Sequence, residues 1–155
     1  MQERRALVPA LVGLLVLGVD HLTKWWALNA LDDRDIDLVG SLRFHLVFNR
    51  GASFGLGSKY APFIALLAVV VVLVLLRQGR NETGFWPRIA LALVTAGAVG
   101  NLLDRLFRSG DGFMGGAVVD FIDVQFWPVW NVADMAITCG AVLLVLTAAR
   151  EPRTA

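Results

Sequence analysis

Four apolar runs limit what this chain can become: residues 6–19, 61–76, 89–103 and 126–149. The first continues past a polar break to Leu31. A helix that spans a bilayer needs ~20 mostly apolar residues. Each run reaches that length once its polar or aromatic ends are counted. The second is the shortest, with 16 uninterrupted residues, but it holds no polar side chain, and Pro62 suits the first turn of a helix. Composition agrees. The chain is 57% hydrophobic and 17% charged, against ~45–50% and ~25% for a soluble domain.

The expected architecture is an all-α integral membrane protein in a single domain, residues 1–155. Four transmembrane helices are expected over about 6–28, 60–77, 87–107 and 129–149, with extracytoplasmic segments over about 32–59 and 108–128. The first run has a basic start at Arg4 and Arg5 but no small-residue cleavage site after it, so it is expected to stay as a helix rather than leave as a signal peptide. Tryptophan favours the membrane–water interface. Trp25 and Trp26 close the first run, Trp86 opens the third, and Trp127 and Trp130 open the fourth. With the N-terminus inside, Arg4, Arg5, Arg77, Arg80, Arg88, Arg150 and Arg153 fall on short inner segments. The positive-inside tendency then puts both termini in the cytoplasm.

Between the spans, residues 42–48 and 118–124 are rich in strand formers. Each is too short to stand alone, and they are suited to pair above the helices as a small extracytoplasmic β-containing segment. The net charge of +1 suggests no nucleic-acid surface. The single cysteine, Cys139, lies in an apolar run and reads as a small buried apolar residue. His21 and His45 are far apart without cysteine partners, so no metal is expected.

Ionisable residues within a span cost about 2.5–3.5 kcal/mol each at the centre and need partners or a function. Here they are concentrated. Asp20 and Lys24 share a helix face at i, i+4; Asn101, Asp104 and Arg105 share another; Asn131 and Asp134 a third. At a rise of ~1.5 Å per residue, Asp20, Asp104 and Asp134 all fall roughly 21–22 Å from the inner boundary. That is about two-thirds of the way across a ~30 Å hydrocarbon core. Read singly, each pair is a snorkelling salt bridge; three at one depth suggest a polar cavity opening outward. The second run contributes nothing to it and is expected to pack or face lipid. Asp123 reads as an ordinary solvated carboxylate. A transporter or proton relay also buries carboxylates, and a non-enzymatic assembly factor is a third possibility. A relay would show polar residues in the inner halves as well, where only small residues, Thr95 and Thr147 interrupt the apolar runs.

Five segments in order resemble lipoprotein signal peptidase, also called signal peptidase II. Asp20-His21-Leu22-Thr23-Lys24 is similar to D-x-x-T-K. Asn49-Arg50-Gly51-Ala52-Ser53-Phe54-Gly55 is similar to N-x-G-A-A-F-G, with Ser53 for the second alanine. Gly100-Asn101-Leu102-Leu103-Asp104-Arg105 follows G-N-x-x-D-R, and Val118-Val119-Asp120-Phe121-Ile122 follows V-x-D-F-I. Trp130-Asn131-Val132-Ala133-Asp134-Met135-Ala136-Ile137 follows F-N-x-A-D-x-x-I, with Trp130 for phenylalanine. The resemblance implies an aspartic endopeptidase of the bacterial inner membrane, its active site toward the outer face. It would cleave prolipoproteins just before a diacylglyceryl-modified cysteine. The family's two catalytic aspartates fall on Asp120 and Asp134. Spacing alone does not choose that pair from Asp20, Asp104, Asp120, Asp123 and Asp134. The resemblance also implies supporting roles for Asp20, Lys24, Asn49, Gly51, Asn101, Asp104, Arg105, Asn131 and Ala133. Expected partners are diacylglyceryl-modified prolipoproteins and membrane lipids, with no cofactor, and the protein is expected to be a monomer.

Overall fold

The structure, a computed structural model, describes residues 2–50, 61–108 and 116–149. Four helices account for most of it: α1 (Gln2–Ala30), α2 (Ala61–Asn81), α3 (Phe85–Phe107) and α4 (Val132–Ala148). Three strands lie between them in the chain: β1 (Ile36–Val39), β2 (Leu42–Asn49) and β3 (Val118–Asp123). Leu7–Ala30 and Phe85–Phe107 are long and apolar enough to cross a membrane; Leu66–Gly79 and Val132–Ala148 are shorter apolar stretches.

The fourth helix starts later than the apolar run because it is capped. Asn131 is extended, and its side chain accepts from the Asp134 N–H while the Asp134 carboxylate accepts from the Asn131 N–H. This reciprocal pair satisfies two of the N–H groups that a helix start leaves without partners.

Helix α3 is central and contacts α1, α2 and α4; α2 packs against α3 and no other described element. Small residues let α3 and α4 approach closely, as between membrane helices. A Cβ at Gly97 would collide with the Ala133 carbonyl oxygen, and one at Gly140 would lie 2.8 Å from the Ala90 carbonyl oxygen. The outward faces are strongly apolar: Leu14, Leu15 and Leu22 on α1, Phe63 and Leu67 on α2 and Val145 on α4 are all exposed. So much contiguous apolar surface is out of range for a water-soluble monomer. Cys139 belongs to this surface. It is exposed, not buried as its apolar surroundings suggested, because it lies on the outward apolar face of α4.

The strands form one antiparallel sheet in the order β1-β2-β3. Strands β2 and β3 are the two segments rich in strand formers, paired with Val47 opposite Asp120 and Asn49 opposite Val118. Strand β1 was not anticipated; it is a four-residue edge strand, three of its residues exposed, and too short to carry a clear alternation. Gly40, at φ +59°, makes the turn that joins it to β2. The sheet docks on the C-terminal end of α1. Trp26 stands edge-on to Phe44 and to Phe121, at 5.1 and 6.1 Å between ring centroids. Ala27, Leu31, Val119 and Phe121 are buried beneath them.

Substituting Gly97 with alanine should force α3 and α4 apart. We expect a lower melting temperature in detergent, consistent with an overpacking cost of about 1–3 kcal/mol. Gly18→Ala is the control, since nothing lies within 4 Å of its added Cβ; it should melt no lower than the parent.

Candidate active site

Helix geometry brings the polar faces of α1, α3 and α4 together. The Lys24 ammonium is fully buried and sits 2.8 Å from Asp20 Oδ2 and 2.9 Å from Asp104 Oδ2. It also donates to Asn101 Oδ1 at 3.0 Å. Each carboxylate has a second anchor. Asp20 Oδ1 accepts from the Ala133 N–H at 3.0 Å, tying α1 to the first turn of α4. Asp104 accepts from Arg108 Nε at 2.6 Å and from the Val119 N–H at 3.2 Å, tying α3 to β3. Gly100 makes room for this: a Cβ there would stand 2.6 Å from Asp20 Oδ2.

Asparagines carry the network to the remaining carboxylates. Asn101 Nδ2 donates to Asp134 Oδ1 at 2.8 Å. Asn131 Nδ2 donates to Asp120 Oδ1 at 2.7 Å and also lies within bonding distance of Asn101 Oδ1 and the Val119 carbonyl oxygen. Through its cap, Asn131 binds Asp134 at both side chain and backbone. One asparagine therefore touches both Asp120 and Asp134. Asn49 reaches across from β2 and donates to Asp120 Oδ2 at 3.0 Å. Asp120 lies opposite Val47 in the register, so Asn49, two residues on, is its diagonal neighbour on the same face.

Strand alternation explains how Asp120 is presented. Val119 and Phe121 point into the apolar cluster on α1, so Asp120 between them faces the other way, toward the asparagines. Burial pushes the Asp120 carboxyl up to about 7; the Asn49 bond opposes this, the nearby Asp134 charge adds to it, and Asn131 and Lys24 oppose it. Arg105 is buried and interacts electrostatically with Asp120, Asp104 and Asp134.

Ten of the eleven residues singled out from the sequence thus converge on one cluster: Asp20, Lys24, Asn49, Asn101, Asp104, Arg105, Asp120, Asn131, Ala133 and Asp134. Ala133 takes part through its backbone N–H and its small size. Gly51 lies outside the described residues. Arg108 was missed, although its i, i+4 spacing from Asp104 was readable. Asp123 is a correction. It is buried, bonded to Arg43 Nε at 2.7 Å and to the Gln125 N–H at 2.6 Å. Burial pushes its carboxyl up, but these bonds outweigh it and hold the group below the usual carboxylate range. It pins β3 to β2 at the far end of the sheet from Asn49.

The sequence model of the family described as Signal peptidase (SPase) II matches residues 12–150. The chain belongs to the signal peptidase II family. A lipoprotein signal peptidase of Rhodococcus jostii (strain RHA1) is 44% identical over 146 residues, which cover 93% of this chain and 73% of that protein. Another, from Bifidobacterium longum subsp. infantis, is 43% identical over 151 residues, covering 96% of this chain and 82% of that one. A bacterial membrane enzyme solved by the in meso method at 2.3 Å shares the fold, with a TM-score of 0.78 at 23% identity over 96% of this chain and 94% of the other. In this member of the signal peptidase II family, the cluster joins every helix but α2 to the sheet.

Removing one partner from a buried ionic cluster strands the others, at about 3–5 kcal/mol. Lys24→Met should therefore lower both the folded yield and the melting temperature, because Asp20 and Asp104 lose their shared counter-ion. An unchanged melt accompanied by lost activity would show that Lys24 has no structural role.

Proposed function

We propose that this protein is an aspartic endopeptidase that removes signal peptides from prolipoproteins, cutting immediately before the diacylglyceryl-modified cysteine. Asp120 and Asp134 are the reacting pair. The observation that carries the reading is Asn131, whose side chain donates to the Asp120 carboxylate and whose backbone N–H donates to the Asp134 carboxylate. Family membership supports the substrate class. In this reading all four helices cross the inner membrane, both termini lie in the cytoplasm, and the site opens toward the outer face. The protein acts as a monomer without metal or cofactor.

The chemistry follows from the charges. Asp20, Asp104, Asp120 and Asp134 face Lys24, Arg105 and Arg108, four carboxylates against three cations. One proton shared between Asp120 and Asp134 cancels the remaining formal charge. Two neighbouring carboxylates resist joint ionisation in any case. The ionised member takes a proton from water, and that water attacks the scissile carbonyl carbon. The protonated member donates to the developing oxyanion. Collapse of the tetrahedral intermediate then delivers a proton to the leaving amine of the cysteine. Lys24 and Arg105 offset negative charge, and Asn49, Asn101 and Asn131 fix the carboxylates' orientation. A lipidated cysteine holds its acyl chains in the bilayer and its peptide bond near the outer boundary, the depth of this cluster.

Asp120→Asn and Asp134→Asn should each insert and fold but lose processing of a diacylglyceryl-modified precursor. A loss of at least about 10²–10⁴-fold is expected for a group in general acid–base catalysis. Near-normal turnover by either purified variant would sink the assignment. The pH profile gives a separate reading. A carboxyl raised to about 7 keeps its proton below that pH and loses it above. The pair titrates as a unit, so the processing rate should fall as pH climbs through about 7, and a rate that stayed flat to pH 9 would contradict a shared proton.

A further inference from the structure

At the end of the bundle away from the sheet, α1 and α2 both pack on α3 without touching each other. They leave a groove of about 700 Å³ between them, within the ~300–1,000 Å³ usual for a ligand site. Pro9, Gly13 and Leu17 form one wall, Leu76 and Gly79 the other, and Ala92 and Ala96 the floor. Its polar members are Arg88 and Thr95. Arg88 stands at the mouth, where its Nε donates to the Glu82 carbonyl oxygen at 2.6 Å. The Glu82 carboxylate is turned away from it, accepting from the Thr83 and Gly84 N–H groups.

We infer that this groove holds one acyl chain of an anionic phospholipid from the inner leaflet, with Arg88 on its phosphate. Two observations choose this occupant. The first is depth. On α3 the groove runs from Arg88 to Val99, roughly 16 Å at ~1.5 Å per residue, which matches half of a ~30 Å hydrocarbon core. Trp86, two residues before Arg88, is exposed and marks the headgroup level. The second is charge. The competing apolar guest is the signal peptide itself, but that segment begins with a positively charged stretch. Arg88 repels such a stretch and attracts a phosphate. The site is distinct from the carboxylate cluster: the groove ends on α3 at Val99, and the cluster begins on α3 at Gly100 and Asn101. The inference rests on the membrane reading and not on the peptidase reading.

Native mass spectrometry of the protein released from detergent tests it. Dioleoyl phosphatidylglycerol and dioleoyl phosphatidylcholine, which share their chains, are titrated separately. The wild-type protein should retain one phosphatidylglycerol at roughly fivefold lower concentration, the ratio that corresponds to about 1 kcal/mol for one arginine near an anionic headgroup. Arg88→Gln should abolish the preference. Gly13→Leu should reduce retention of both lipids by filling the groove; the glycine has space, its nearest neighbours standing 3.9 Å from an added Cβ. Asp134→Asn should retain lipid as the wild type does, so failure of the peptidase assignment is read separately. Equal retention of the two lipids, or a preference that survives Arg88→Gln, would overturn the inference. So would displacement of phosphatidylglycerol by an equimolar synthetic signal peptide.

Discussion

The Lys24 ammonium, enclosed by two carboxylates and an asparagine, is the contact on which the rest of the arrangement depends. A charge this deep is stable only with partners, and its partners come from two helices. Asp20 holds α4 through the Ala133 N–H, and Asp104 holds the sheet through the Val119 N–H. Satisfying one cation therefore fixes α1 and α3 to each other and sets where α4 and β3 begin. Gly97, Gly100 and Gly140 permit the approach; the ionic cluster determines its register. The reacting pair proposed here sits on this frame rather than forming it.

Much of this was legible because helix rise is a fixed property of the backbone. Counting residues put Asp20, Asp104 and Asp134 in one layer, and Lys24 and Asn101 do connect all three. Asp120 was not legible from spacing. It arrives on a strand, and strand pairing is non-local: the register of β3 against β2 is set by the Trp26–Phe44–Phe121 cluster and by the bond from the Val119 N–H to Asp104, none of which leaves a local mark. Only the motif pointed to it. Asp123 misled for a related reason, since its partner Arg43 is 80 residues away in the chain. Cys139 misled because an apolar neighbourhood in the chain does not mean burial in a protein whose outward helix faces are themselves apolar.

The two ends of the helical bundle are chemically opposed. Toward the sheet, α1, α3 and α4 converge on charges and amides. Away from it, α1 and α2 diverge over α3 and leave an apolar hollow with one arginine at its mouth. Among the described residues, helix α2 has no polar residue in the cluster and a single packing partner, so it is the described helix least constrained by ionic contacts.

The cap at the start of α4 sets two demands against each other at one side chain. The third position of a capping box is most often Glu or Gln, the longer side chains that reach back easily to the cap N–H. This chain has Asp134, one methylene shorter, and its bond to the Asn131 N–H is correspondingly long at 3.3 Å. Its other oxygen is held more tightly by Asn101, at 2.8 Å. A sequence tuned only to begin a helix would have placed glutamate there and pushed the carboxylate further from the backbone. The slack in this cap leaves the Asp134 carboxylate held as much by Asn101 across the cluster as by the start of its own helix.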